Sequence, residues 1–171
     1  MFLRSDDTDE LTENDIETLK NYGVRTVIDL RSEEEVTAHP DKLANVSEIT
    51  YHHVDVVKFF HLYADDNNYS ADEWGSKIKH VKYTGEGNFK KQIFDIVANA
   101  EKGCTLFHCI AGKDRTGLIS ALILGLVGVN ENDIIENYIV SWDLVKNRPK
   151  IMKTIEQDIK NGKIYIKRKR N

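Results

Sequence analysis

The chain has 171 residues and a formal net charge of −4, long enough to bury roughly 70% of its unfolded surface without covalent staples. Apolar residues make up 40% and charged residues 30%, the balance of an ordinary globular protein. Two cysteines exclude a disulfide scaffold or a four-cysteine zinc site, and the acidic balance excludes a general nucleic-acid-binding footprint.

No apolar leader follows Met1, because Arg4, Asp6, Asp7 and Asp9 come at once. The longest mostly apolar, uncharged run is 117–129, too short to cross a bilayer and suited to a core helix. A single domain over 1–171 in the cytoplasm is expected; the oligomeric state has no signal in the sequence.

In chain order, Thr12 and Asp15 form a capping box ahead of an apolar stripe of Leu11, Ile16 and Leu19, and Gly23 supplies a C-terminal stop. Residues 24–30 (VRTVIDL) are β-branched and apolar enough for a buried strand. Ser32 caps a short acidic helix over 33–38, ended by Pro40. Residues 49–57 are a second strand, interrupted by polar His52, His53 and Asp55. The stretch 59–87 is longer than an ordinary connection and reads as a lid or binding insertion, with a helix near 69–80. Phe89, Ile93, Ile96, Val97 and Ala100 repeat with helical period up to Gly103. A strand follows at 104–109 (CTLFHC), then helices at 115–127, 133–140 and 149–160. Strands alternating with helices predict an α/β fold, a central mostly parallel sheet flanked by helices.

The informative segment is 108–117, HCIAGKDRTG. A cysteine followed six residues later by an arginine would arise by chance in about one such sequence in twelve. Its setting carries the inference: a strand runs into Cys109 and a helix opens at Arg115, a turn that falls beyond the carboxyl end of a strand, where α/β sheets bind ligands. Backbone N–H groups from Ile110, Ala111, Gly112, Lys113, Asp114 and Arg115 would converge there as an anion nest on the helix dipole. The same field favours a thiolate at Cys109. Arg115 can grip two phosphoryl oxygens through its planar fork, as lysine cannot. Gly112 allows the tight backbone, and Thr116 can donate its hydroxyl to the sulfur. A thiolate beside an anion nest points to attack on a phosphate ester.

This segment resembles the HCxxGxxR[ST] signature of the protein-tyrosine-phosphatase superfamily, and its GKDRTG ending is similar to a bacterial branch of tyrosine and dual-specificity phosphatases with likeness to phosphoinositide phosphatases. Residues 2–5, 11–22, 24–32 (VRTVIDLRS) and 126–141 look like the same branch, so the resemblance covers about two thirds of the chain and leaves out 59–87. It implies that Cys109 is the nucleophile of a phosphocysteine intermediate, that Arg115 binds the phosphoryl group, that His108 orients the loop, and that no metal or other cofactor takes part. Phosphorylated protein or a phosphoinositide is the implied substrate; Lys113 in the loop adds a charge that suits a multiply phosphorylated head group. The general acid is open between Asp114, already in the loop, and Asp55, near the end of the 49–57 strand, where superfamily members supply an aspartate.

The competing readings are a rhodanese-like sulfurtransferase or arsenate reductase, which also place cysteine on an anion loop, and a non-catalytic phosphate-binding module. The His108 and Arg115-Thr116 surroundings disfavour the first; the intact Cys109 and Arg115 disfavour the second. Cys104 reads as core. His52, His53, His61 and His80 match no zinc spacing. The basic run 167–170 reads as a solvated tail.

Overall fold

Among the described residues, four strands, all parallel, form a sheet in the order β1-β4-β2-β3: β1 (Phe2–Ser5), β2 (Val24–Asp29), β3 (Thr50–His53) and β4 (Cys104–His108). A computed structural model describes residues 1–56 and 89–145 of the chain, which divides into two compact units, Met1–Ile110 and Ala111–Asn171. Helices α1 (Glu13–Tyr22), α2 (Glu33–Ala38) and α3 (Phe89–Asn99) belong to the first unit, and α4 (Asp114–Leu126) and α5 (Glu131–Val145) to the second. The class is the mixed α/β one that the alternation predicts.

In the first unit the local chemistry sets the elements. Thr12 accepts from the Asp15 N–H while the Asp15 carboxylate accepts from the Thr12 N–H, and Ser32 and Glu35 repeat the arrangement at the start of α2. Gly23 ends α1 at φ 97°, a left-handed conformation that a side chain would strain. One residue on, the chain enters β2, and α1 packs against that strand. The core beneath gathers Ile16, Val24, Val27, Leu43, Ile49, Cys104 and Leu106, with Leu3, Leu11, Leu19, Val46 and Tyr51 packed around it. Cys104 is 1% exposed, and burial pushes its thiol up, as befits a core residue. Entry to β4 is tight: a Cβ on Gly103 would sit 2.8 Å from the Gly23 carbonyl oxygen, so only glycine lets the Cys104 N–H reach that oxygen at 2.8 Å.

The strands register so that Ser5, His108, Asp29 and His53 end at one level. All five residues of β4 are buried, the pattern of a central parallel strand. Side chains alternate along β4, so His108 continues the row of Cys104 and Leu106, and Cys109 turns to the opposite face.

Some boundaries differ from the sequence reading. The 49–57 strand contracts to Thr50–His53; Val54 makes one more bond, to the Asp29 carbonyl at 2.9 Å, and Asp55 lies beyond the ladder. β1 had no signal in its own residues: it pairs with β4, distant in sequence, as the sheet edge. The predicted helix at 133–140 runs from Glu131 to Val145, opened by Asn130, whose side chain accepts from the Asp133 N–H at 3.1 Å. The 59–87 insertion with its helix near 69–80, the 149–160 helix, His61, His80 and the 167–170 tail lie outside the described residues.

In the second unit α4 and α5 pack on each other. Gly128, at φ 81°, turns the chain between them.

Candidate active site

β4 delivers His108 and then Cys109 to the carboxyl edge of the sheet. The backbone on either side of Cys109 is pinned: the Leu30 N–H donates to the His108 carbonyl at 2.9 Å and the Asp7 N–H to the Ile110 carbonyl at 3.1 Å. The Cys109 residue itself is 2% exposed. After Ile110 and Ala111 the chain turns at Gly112 with φ 64°, a left-handed conformation that glycine adopts without strain.

Helix α4 then opens at Asp114, and its first-turn bond runs from the Gly117 N–H to the Lys113 carbonyl at 2.7 Å. Lys113 occupies the N-cap without a side-chain capping bond, unlike Thr12 and Ser32 in the first unit. Arg115 is half-buried in the first turn, and Thr116 is fully buried behind it. The Asp114 carboxylate is 68% exposed, and its Oδ1 meets two cations or donors of its own unit: Lys113 Nζ at 3.0 Å and the Tyr138 hydroxyl, which donates at 2.7 Å from α5. Asp55, half-buried, stands two residues past the end of β3, on the carboxyl edge of the sheet.

Behind Cys109 the first unit holds a buried charged network that sequence reasoning missed. Arg31 lays its fork on Asp29, with Nε 2.9 Å from Oδ1 and Nη2 2.7 Å from Oδ2, and its Nη1 donates to the His39 carbonyl at 2.8 Å. The Tyr51 hydroxyl donates to Asp29 Oδ2 at 2.8 Å. Asp41 lies within 3.9 Å of Arg31 Nη2 and 2.8 Å from His108 Nε2. The latter distance is that of an ion pair, although the ring and carboxylate are not aligned for a hydrogen bond. Oδ1 of Asp41 accepts from the Leu43 N–H at 2.7 Å. His53 joins through the Arg31 carbonyl, 2.8 Å from Nε2.

Burial pushes the Asp29 and Asp41 carboxyls up, but their partners outweigh it: the Arg31 hydrogen bonds and the His108 charge hold Asp29 below the usual range, and His108 and the Leu43 N–H do the same for Asp41. Burial also pushes the Tyr51 phenol up, reinforced by the Asp29 carboxylate. The signal available in the sequence was Asp29 and Arg31 themselves, charged residues inside a run (VIDLR) that otherwise reads as a fully buried strand. Asp29, Asp41 and His108 present donor atoms within 4.8 Å of one another, close enough for a metal. Arg31 already supplies a cation to both carboxylates, so the set is read as an ion-pair network.

This chain belongs to the tyrosine phosphatase family, whose model matches residues 1–168 and so spans both units. It is 34% identical over 157 residues to a tyrosine-protein phosphatase of Nostoc commune, covering 87% of this chain and 51% of that protein. It is 26% identical over 183 residues to the triple specificity protein phosphatase PtpB of Mycobacterium tuberculosis, covering 91% of this chain and 66% of that protein. The chain therefore spans about half the length of the first relative and just under two thirds of the second. A crystal structure of kinase associated phosphatase, its catalytic cysteine replaced by serine, aligns over 94% of this chain and 84% of its own at 14% identity and TM-score 0.41, too slight a likeness to bear on the site.

Proposed function

We propose that the chain is a single cysteine-dependent phosphatase domain that hydrolyses phosphate monoesters through a phosphocysteine intermediate. The observation that carries this reading is an intact HCIAGKDRTG loop, joining the end of a buried parallel strand to a helix, in a chain that matches the tyrosine phosphatase family over nearly its whole length.

In the first step the Cys109 thiolate attacks phosphorus; an S–P bond forms as the ester P–O bond breaks, and the leaving oxygen takes a proton from a carboxylic acid. In the second, water attacks phosphorus and gives a proton to that carboxylate, the S–P bond breaks to restore the thiolate, and phosphate leaves. Arg115 holds two phosphoryl oxygens through both steps. The loop N–H groups and the start of α4 stabilise the charge that develops on the others. Lys113 makes no side-chain capping bond at the start of α4, and the helix dipole favours an anion bound there. His108 and Thr116 support the loop and the sulfur.

The substrate is phosphotyrosine in the first place. Lys113, the feature that favoured a phosphoinositide head group, shares its charge with Asp114 at 3.0 Å, which removes much of the excess positive charge such a head group would require. Among the described residues no helix is long and apolar enough to cross a membrane, and we place the enzyme in the cytoplasm. The test is phosphate release from phosphotyrosine and phosphoserine peptides and from phosphoinositide vesicles. Release from the phosphotyrosine peptide is expected to be fastest. No release from any of the three, with thiocyanate or arsenite formed from the corresponding substrates, would overturn the phosphatase assignment.

A further inference from the structure

We propose that Asp41 is a positioning residue for Cys109, acting through His108. The inference rests on the phosphatase reading for its effect on turnover. The geometry that carries it lies within the first unit.

Asp41 and His108 have side chains with 0% exposure, Oδ2 and Nε2 lying 2.8 Å apart. A carboxylate so deeply buried is costly to keep, and an apolar side chain of similar volume would often serve stability as well. Asp41 is moreover fixed from its own side: the Leu43 N–H holds Oδ1, and Arg31, itself locked on Asp29, faces Oδ2 at 3.9 Å. The imidazole of His108 thus meets a carboxylate that cannot swing away. Asp29 is the weaker partner, 3.8 Å from Nε2.

His108 is bonded covalently to Cys109, and the carbonyls of 108 and 110 are pinned by Leu30 and Asp7. His108 also closes the β4 ladder, paired with Ser5 on β1 and Asp29 on β2, so its backbone is set by the sheet and its ring is the part oriented by neighbouring side chains. Asp41 and Asp29 both face Nε2 of the His108 ring, at 2.8 and 3.8 Å. Asp41 would hold the ring, and so steady the residue to which Cys109 is bonded. A misplacement of a reacting atom by about 1 Å can cost on the order of a hundredfold in rate, so a link of this kind acts on the chemical step and leaves phosphate binding to Arg115 and the loop amides.

The experiment compares the unmodified protein with Asp41→Asn, which keeps the volume and the acceptor for Leu43 but loses the charge, and with Tyr51→Phe, which removes a hydroxyl from the far end of the same network. Two readouts are taken: steady-state hydrolysis of a phosphotyrosine peptide, and the rate of Cys109 alkylation by iodoacetate, located by peptide mapping. Asp41→Asn is expected to lower kcat by about tenfold to a hundredfold with KM within about twofold, and to slow alkylation of Cys109. Tyr51→Phe, which also loosens the network, is expected to leave both rates within about twofold. The double variant Asp41→Asn/His108→Gln is expected to be no slower than His108→Gln alone, because the carboxylate works only through the ring.

Equal losses in Asp41→Asn and Tyr51→Phe, or additive losses in the double variant, would overturn the proposal and leave Asp41 a structural residue. If Asp41→Asn does not fold, unchanged kcat and alkylation in His108→Gln overturn it as well. An unmodified protein that releases no phosphate yet alkylates rapidly at Cys109, with Asp41→Asn slowed, would instead refute the phosphatase reading and leave the positioning role standing.

Discussion

Asp114 accepts two contacts on a single oxygen, from Lys113 Nζ at 3.0 Å and from the Tyr138 hydroxyl at 2.7 Å. Through Oδ1 the carboxylate links the loop lysine to α5, a contact suited to an anchor. Asp55 sits elsewhere, just beyond β3 at the carboxyl edge of the sheet. We predict that Asp55→Asn slows hydrolysis of a substrate with a poor leaving group by about a hundredfold or more, the contribution of a positioned general acid, and barely affects one with an activated aryl leaving group. Asp114→Asn should slow both substrates alike. Stopped-flow or steady-state rates on the two substrates decide it, and the reverse pattern would make Asp114 the proton donor. Both aspartates were legible as candidates from the sequence, one by lying in the signature loop and one by following a strand. Which partners engage Asp114 was not, since Tyr138 comes to it from another helix.

At the scale of elements, the features written in short-range chemistry are the ones the sequence revealed. The Thr12–Asp15 capping box, the Ser32 cap and the Gly23 stop depend on residues no more than a few positions apart, and each stands where the residue types placed it; Glu35, which completes a second box with Ser32, went unread. β1 and the buried network depend on partners far along the chain. Phe2–Ser5 carries no alternation strong enough to announce a strand and becomes one by pairing with β4. Asp41, on the turn after α2, looks like any acid beside Pro40 until the fold brings it against His108. The same logic shortens β3, where Tyr51, His52 and His53 turn polar groups into a strand only four residues long. The caps give a direct check on this account of local structure. Thr12→Ala removes one half of the α1 box and should lower the free energy of unfolding by about 1 kcal/mol, measured by urea titration, while phosphate release stays unchanged. A loss well under half of that would mean that packing of Ile16 and Leu19 alone holds α1.

For the whole molecule, the buried network makes stability depend on acid. Asp29 and Asp41 both have an ordinary value of 3.8 and lie below it in the folded chain, because the Arg31 hydrogen bonds, the His108 charge and the Leu43 N–H outweigh the opposing effect of burial. A carboxyl depressed by folding contributes stability that is complete above its unfolded value and is lost as pH falls through the folded one. We therefore predict that urea midpoints fall steeply as pH drops below about 4, and that Asp41→Asn, which starts less stable at neutral pH, falls less steeply over that window. Parallel curves for the two proteins would mean that Asp41 adds nothing to the acid sensitivity. Glu48, held down to about 2 by Lys20 and Ser47, sits in a surface pair and should contribute little to the same curve.

The central claim is that turnover passes through a phosphoryl group on Cys109. It is tested most directly by mixing the protein with a phosphotyrosine peptide, quenching during steady turnover, and mapping the phosphorylated residue by peptide mass spectrometry. One phosphoryl group is expected on the peptide that carries Cys109, absent in Cys109→Ser, which should still bind vanadate through Arg115 and the loop amides. Phosphate release that continues at an undiminished rate in Cys109→Ser, or a phosphoryl group trapped on any other residue, would contradict it.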